Sequence, residues 1–194
     1  MPACLLGPVE SITPATEYPV TVAATLDRCR IDLQDDNSLV SDLIGTATNF
    51  CQRRMDRQLM SATFDVPLRG WWYGLQYLPL PPLQSVTSVK YYATDDTLTT
   101  LSSAYYTVRK PLYGAGSLEL APNYVWPPLQ VLREFPVVVR IVAGYASAAL
   151  VPDSIKTAIY LMVDYLYENR GDADVKIPDA IGRLLDMDGW GSCV

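Results

Sequence analysis

Histidine is absent from this chain. That absence removes the Ser/His/Asp triad, the Cys/His nucleophile pair, His-ligated zinc and the one side chain whose unperturbed pKa lies near neutrality. Cysteine is sparse and scattered. Cys4, Cys29, Cys51 and Cys193 form no CxxC pair, so no zinc or redox motif can be drawn and the four read as free thiols of a reducing compartment. Glycine-rich phosphate loops are missing too: Gly70-Trp-Trp-Tyr-Gly74 and Gly114-Ala-Gly116 fit neither the Walker pattern nor the dinucleotide-binding pattern. No apolar run approaches the roughly 18 residues that span a bilayer. The opening Met1-Pro-Ala-Cys-Leu-Leu-Gly7 lacks the charged start and long apolar run of a signal peptide, so a soluble, cytosolic product without a membrane partner is expected. Cations are outnumbered as well, 15 Lys and Arg against 21 Asp and Glu, for a formal charge of −6. Such a balance argues against gripping duplex DNA, which needs clustered Lys and Arg, although nucleic acid could pass nearby uncaptured.

What these absences leave is carboxylate, lysine or metal-carboxylate chemistry, or none. The paired carboxylates are Asp35/Asp36, Asp95/Asp96, Asp172/Asp174 and Asp186/Asp188, and each pair lies in a stretch that reads as turn or helix cap. A glycosidase would need two carboxyls held across a cleft. Asp186-Met-Asp188-Gly189 opens like a calcium loop, but the later bidentate Glu has no place before Val194. We therefore expect no catalytic residue, no cofactor and no metal.

What is present is enough for a core. At 194 residues and 49% hydrophobic, the chain reads as one domain, or one domain carrying an insertion, and its 15 prolines imply many hard reversals. Residues 1–18, with Pro2, Pro8 and Pro14, show no sustained period and read as an irregular arm, either frayed or strapped to a neighbouring subunit. Thr21 caps a short helix carrying Val22 and Leu26 toward Arg30, and Ala24 stands where a capping-box Glu would. After Asp35-Asp36-Asn37 a long helix runs to about Arg57, with Leu39, Leu43, Ala47 and Phe50 on one stripe and Val40, Ile44 and Cys51 beside it. Arg53, Arg54 and Arg57 in its last turns complement the helix dipole or meet an acidic partner.

From Leu59 to Tyr145 the period becomes two. Strand signals fall at 60–68, 86–92, 97–101, 105–108, 117–120 and 137–142, with Pro67 marking an edge or a strand end. Helix returns after Pro152-Asp153-Ser154, with Ile155, Ile159, Met162 and Leu166 on one stripe widened by Ala158, Leu161 and Tyr165. A last short helix starts at Pro178 and carries Ile181, Leu184 and Leu185. The fold expected is α+β, mainly an α-helical bundle of about four helices with an inserted small antiparallel β domain. Its parts are an arm at 1–18, bundle segments at 19–58 and 150–187, the β domain at 59–145 and a tail at 188–194. The acidity concentrates late: residues 171–194 hold five acidic and two basic residues, whereas 61–144 are nearly balanced. Trp71, Trp72 and Tyr73, adjacent in an expected loop, face solvent or a partner, or pack inside the β domain. Bottom-up, the residues describe an interaction module.

Several of these stretches, in order, resemble the head-tail connector (adaptor) proteins of tailed phages. They are Pro19-Val-Thr-Val-Ala-Ala-Thr-Leu-Asp-Arg-Cys-Arg-Ile-Asp32, Gln34-Asp-Asp-Asn-Ser-Leu-Val40, Pro79-Leu-Pro-Pro-Leu-Gln-Ser-Val-Thr-Ser-Val-Lys-Tyr-Tyr92 and Val142-Ala-Gly-Tyr145. Val151-Pro152, Tyr167-Glu-Asn-Arg170, Ile177-Pro178 and Leu184-Leu185 complete the set. Each is a cap, turn or packing pattern, and the order over 19–187 carries the resemblance. The arm, Ala24, the long Asn123–Phe135 loop and the Trp71–Tyr73 tip depart from it. The resemblance implies a virion neck protein, present in the host cytoplasm during assembly. It implies a ring of about twelve copies that binds the portal protein, surrounds passing duplex DNA without specific binding, and offers a docking surface to a stopper or tail-completion protein. It also implies that 171–194, with Asp186, Asp188 and Trp190, docks on the portal. Trp71, Trp72 and Tyr73, which lie outside the resemblance, are expected to meet a neighbouring subunit or a tail-side partner. The alternatives are a stopper or tail-terminator of the same neck, commonly smaller and mainly β, and a carboxylate-dependent enzyme.

Overall fold

The computed structural model describes residues 6–31, 36–71, 75–111, 114–169 and 177–188. The chain forms two compact units. One takes in Ser61–Gly144 together with the N-terminal stretch up to Pro14, and the other takes in Ala15–Met60 and the chain from Tyr145 onward.

The second unit is helical. α1 (Val22–Cys29) starts where Thr21, in extended backbone, accepts the Ala24 N–H on its hydroxyl at 3.2 Å, and ends with Arg30 in the left-handed region at φ 53°. α2 (Asn37–Met55) ends the same way on Asp56 at φ 51°, and the Gln52 side chain accepts the Leu59 N–H at 3.0 Å as the chain leaves the helix. Asp36 precedes α2 without capping it. Its carboxylate instead accepts the Tyr167 hydroxyl at 2.6 Å, tying the start of α2 to the end of α3 (Asp153–Glu168). α4 (Asp179–Asp188) completes the unit. The core of α2 is the stripe Val40, Ile44, Ala47, Cys51 and Met55, with Leu39, Leu43 and Phe50 at its margin. α3 packs on α1, α2 and α4 and buries Ile155, Ala158, Ile159, Met162 and Val163, whereas Leu161, expected on its apolar face, stands exposed. The β excursion leaves and re-enters this unit at one place, since the Tyr145 N–H donates to the Leu59 carbonyl at 3.0 Å and Met60 bridges to Tyr145.

The first unit is antiparallel β. Its strands are β1 (Glu10–Thr13), β2 (Ala62–Leu68), β3 (Leu75–Tyr77), β4 (Leu83–Tyr92), β5 (Leu98–Thr100), β6 (Tyr106–Arg109), β7 (Ser117–Leu120) and β8 (Val137–Ala143). They form a five-stranded sheet ordered β1-β2-β8-β4-β5 and a three-stranded sheet ordered β3-β7-β6. Alternation decides the faces: Val66 and Leu68 register with Val139 and Val137 and are buried, while Asp65 and Pro67 register with Arg140 and Val138 on the opposite face. Pro67 stands one residue from the end of β2. Its carbonyl accepts the Gly7 N–H at 2.8 Å, so its missing N–H faces the N-terminal segment and not the β8 ladder.

Two features differ from expectation. Among the described residues 35% are helical and 27% lie in strands, so the fold is α+β in near balance and not mainly a helical bundle. The excess strand comes from β1, inside the stretch expected to be irregular, and from β3. Both are too short to display a period of their own and exist because a neighbouring strand supplies the hydrogen bonds, β2 for β1 and β7 for β3.

Candidate interaction surfaces

No group of three or more Asp, Glu, Cys or His that could hold a metal ion occurs among the described residues. The carboxylates that are described have other work. Asp95 accepts the Thr97 N–H at 3.1 Å and the Thr97 hydroxyl at 2.6 Å, which forms the β4–β5 turn. Asp96, at φ 66°, receives Arg133 on both oxygens at 2.6 and 3.1 Å. These bonds hold both carboxyls below the usual carboxylate range. Asp65 receives Arg140 across the sheet on both oxygens at 2.7 Å. Asp35, Asp172 and Asp174 lie outside the described residues.

Of the six residues singled out for interaction, the structure describes the side chains of two. Asp186, on α4, is ion-paired with Arg54 of α2 at 3.1 Å, both half exposed, so an acidic contact expected for a partner is made within the helical unit. Asp188 is the last residue of α4, and Trp72, Tyr73 and Trp190 lie outside the described residues. α4 itself is a core element, with Ile181 and Leu185 buried, and so is not part of a loose tail.

Trp71 has an internal role. Its ring stacks on Trp126 at 4.5 Å between centroids and 9° between planes, tilts against Tyr91 at 6.2 Å, and its indole N–H donates to the Pro127 carbonyl at 3.0 Å. The tryptophan thereby anchors the long connection between β7 and β8. Further clamps follow along that connection: the Gln130 N–H on the Tyr92 carbonyl at 3.0 Å, Arg133 on Asp96 and over the Tyr92 ring at 3.7 Å, and Glu134 on Arg69 at 2.6 Å. Held at these points, the loop keeps Val125, Val131 and Leu132 80%, 89% and 90% exposed. In the sequence this loop stands out only by its length. Its signal was the run Val131-Leu132 in a loop otherwise tied by polar and aromatic residues.

Of the two thiols described, Cys51 is buried and Cys29 is partly exposed. Cys51 is buried among the α2 core residues, and desolvation pushes it up to about 12. Cys29 donates to the Tyr160 carbonyl at 3.7 Å, and burial first, then the Asp164 charge, push it up to about 11 against the opposing effect of Arg28. Their folded pKa values exceed the ordinary 9.0, so the folded chain keeps its protons where the unfolded chain loses them. Stability is therefore undiminished below pH 9 and is expected to fall as pH climbs toward 12. In a chain with Cys4→Ser and Cys193→Ser, Ellman's reagent at pH 8 should react slowly with the partly exposed Cys29 and with Cys51 only once denaturant is added, for two thiols per chain in all.

The fold has counterparts among solved structures. A chain of the virion of a native gene transfer agent particle superposes with a TM-score of 0.78 at 21% identity, covering 93% of this chain and 94% of that one. A chain in the neck of an empty gene transfer agent particle, computed with C6 symmetry, gives 0.78 at 20% identity over 94% and 95%. Another, from the neck of the native particle computed with C12 symmetry, gives 0.72 at 19% identity over 94% and 95%. The likeness is one of fold, and it runs the length of both chains. No protein-family model matches the sequence, nor does any curated protein. No described helix is long and apolar enough to cross a membrane.

Proposed function

We propose that this chain is a structural protein of the neck of a tailed-phage-like particle. It is a head-tail adaptor that forms a ring beneath the portal, surrounds the DNA exit channel and presents a surface to a stopper or tail protein. The observation that carries this reading is the full-length match of fold to chains from gene transfer agent virions and necks, together with the ordered resemblance of 19–187 to connector proteins. The symmetries of those necks, C6 and C12, support a ring, here of about twelve copies. The four helices among the described residues favour an adaptor over a stopper, which is commonly smaller and mainly β. The charge of −6 suits a wall past which duplex DNA slides without capture. No enzymatic role is proposed.

Portal docking is assigned to the C-terminal segment with Asp188 and Trp190. Because α4 contributes to the core, the test removes only residues 189–194. Co-sedimentation with the portal protein of the same particle should be strong for the full chain and lost for the chain ending at Asp188. Unchanged binding by the shortened chain would reject this assignment.

A further inference from the structure

We infer that the β7–β8 loop is a contact between neighbouring copies of this chain, with Val131 and Leu132 of one copy seated in the depression beside Tyr77 of the next. This rests on the ring reading above and names the surfaces that would make it. An apolar pair exposed at 89% and 90% costs solvation in a free chain. Here it is held by a stack, two ion pairs and backbone hydrogen bonds, so little ordering remains to be done on docking.

Charge selects the occupant. Two chains of −6 repel wherever unpaired acid faces unpaired acid. The ions of this loop, Arg133 and Glu134, are neutralised within its own unit by Asp96 and Arg69, which leaves an apolar tip without net charge. That is the kind of surface a second acidic copy can meet, and it offers duplex DNA no free cation. A closed ring also requires two unlike patches on each copy. The β unit supplies the second as a depression of about 560 Å³ lined by Tyr77, Pro111 and Ala115, whose rim charges are engaged as well. Arg109 pairs with Glu119, and the Lys110 ammonium donates to the Gln84 carbonyl at 3.0 Å. Tyr77 is half exposed. Another depression among the described residues of this unit, about 240 Å³, holds the Arg140–Asp65 pair and Lys90 and suits an aliphatic pair less well.

The test is sedimentation velocity of the full chain over a concentration series, beside the double variant Val131→Asp, Leu132→Asp and the conservative Leu132→Met. Both positions are solvent-exposed, so each variant should keep the parent circular dichroism and melting temperature. We expect the parent and Leu132→Met to self-associate and the double aspartate to lose roughly tenfold or more in association constant. In parallel, a Leu132→Cys chain is mixed with a Tyr77→Cys chain, both with Cys4→Ser and Cys193→Ser, and oxidised. The mixture should give a disulfide-linked dimer that neither chain gives alone. Association that survives the double aspartate overturns this inference and leaves the ring reading standing. Loss of association without the mixed disulfide overturns the seat beside Tyr77. A parent chain that neither associates nor cross-links overturns this inference, while the ring reading is decided with portal present.

Discussion

Ile159→Ala is expected to lower the unfolding free energy of the helical unit by about 3 kcal/mol, because removing a large aliphatic group from a filled core loses its transfer energy and leaves a cavity. Ile159 is fully buried on α3, the helix that packs on α1, α2 and α4. For a chain of this length that corresponds to a fall in melting temperature of very roughly 6–12 °C. Leu161, two residues along the same helix, provides the control. It is 40% exposed, and Leu161→Ala should stay within about 0.5 kcal/mol of the parent. Urea unfolding followed by circular dichroism distinguishes the two. Equal losses would mean that the packing of α3 has been assigned to the wrong face.

Trp71→Ala is expected to release the β7–β8 loop and to destabilise the β unit by about 3 kcal/mol. That figure combines the lost ring burial, the stack on Trp126 and the hydrogen bond to Pro127. Trp71→Phe keeps an aromatic ring without the donor and should cost about 1 kcal/mol. The local readout is amide hydrogen exchange. The Gln130 N–H, bonded to the Tyr92 carbonyl, should lose protection strongly in Trp71→Ala and little in Trp71→Phe. Protection unchanged in Trp71→Ala would show that the ion pairs of Arg133 and Glu134 hold the loop by themselves.

Features set by neighbouring residues were legible in the sequence, and those set by distant partners were not. Thr21 begins α1 as its type and position imply, and the alternation of Val66, Leu68, Val137 and Val139 gives the buried face of the large sheet directly. β1 was invisible because all four of its side chains are exposed and only the β2 edge makes it a strand. Both apolar stripes of α2 were legible, but which one goes deepest was not: packing buries Val40, Ile44 and Cys51 together with Ala47 and leaves Leu39, Leu43 and Phe50 at the margin. Arg54 was legible as a cation suited to a helix C-terminus. That it meets Asp186 was not, for 132 positions separate them. The same holds for Trp71, whose neighbours Trp126 and Pro127 arrive from the far end of the β excursion. Composition could say that an aromatic tip exists in this region. It could not say that the first of its three rings is spent on the chain's own loop.

The described carboxylates at Asp65, Asp95, Asp96 and Asp186 are each committed to a turn or to an arginine.

The adaptor role is tested most directly by negative-stain imaging of the purified chain mixed with the portal protein of the same particle. Two stacked coaxial rings are expected, the added layer carrying the symmetry of the portal. Portal rings that remain bare while the added chain stays dispersed would contradict it.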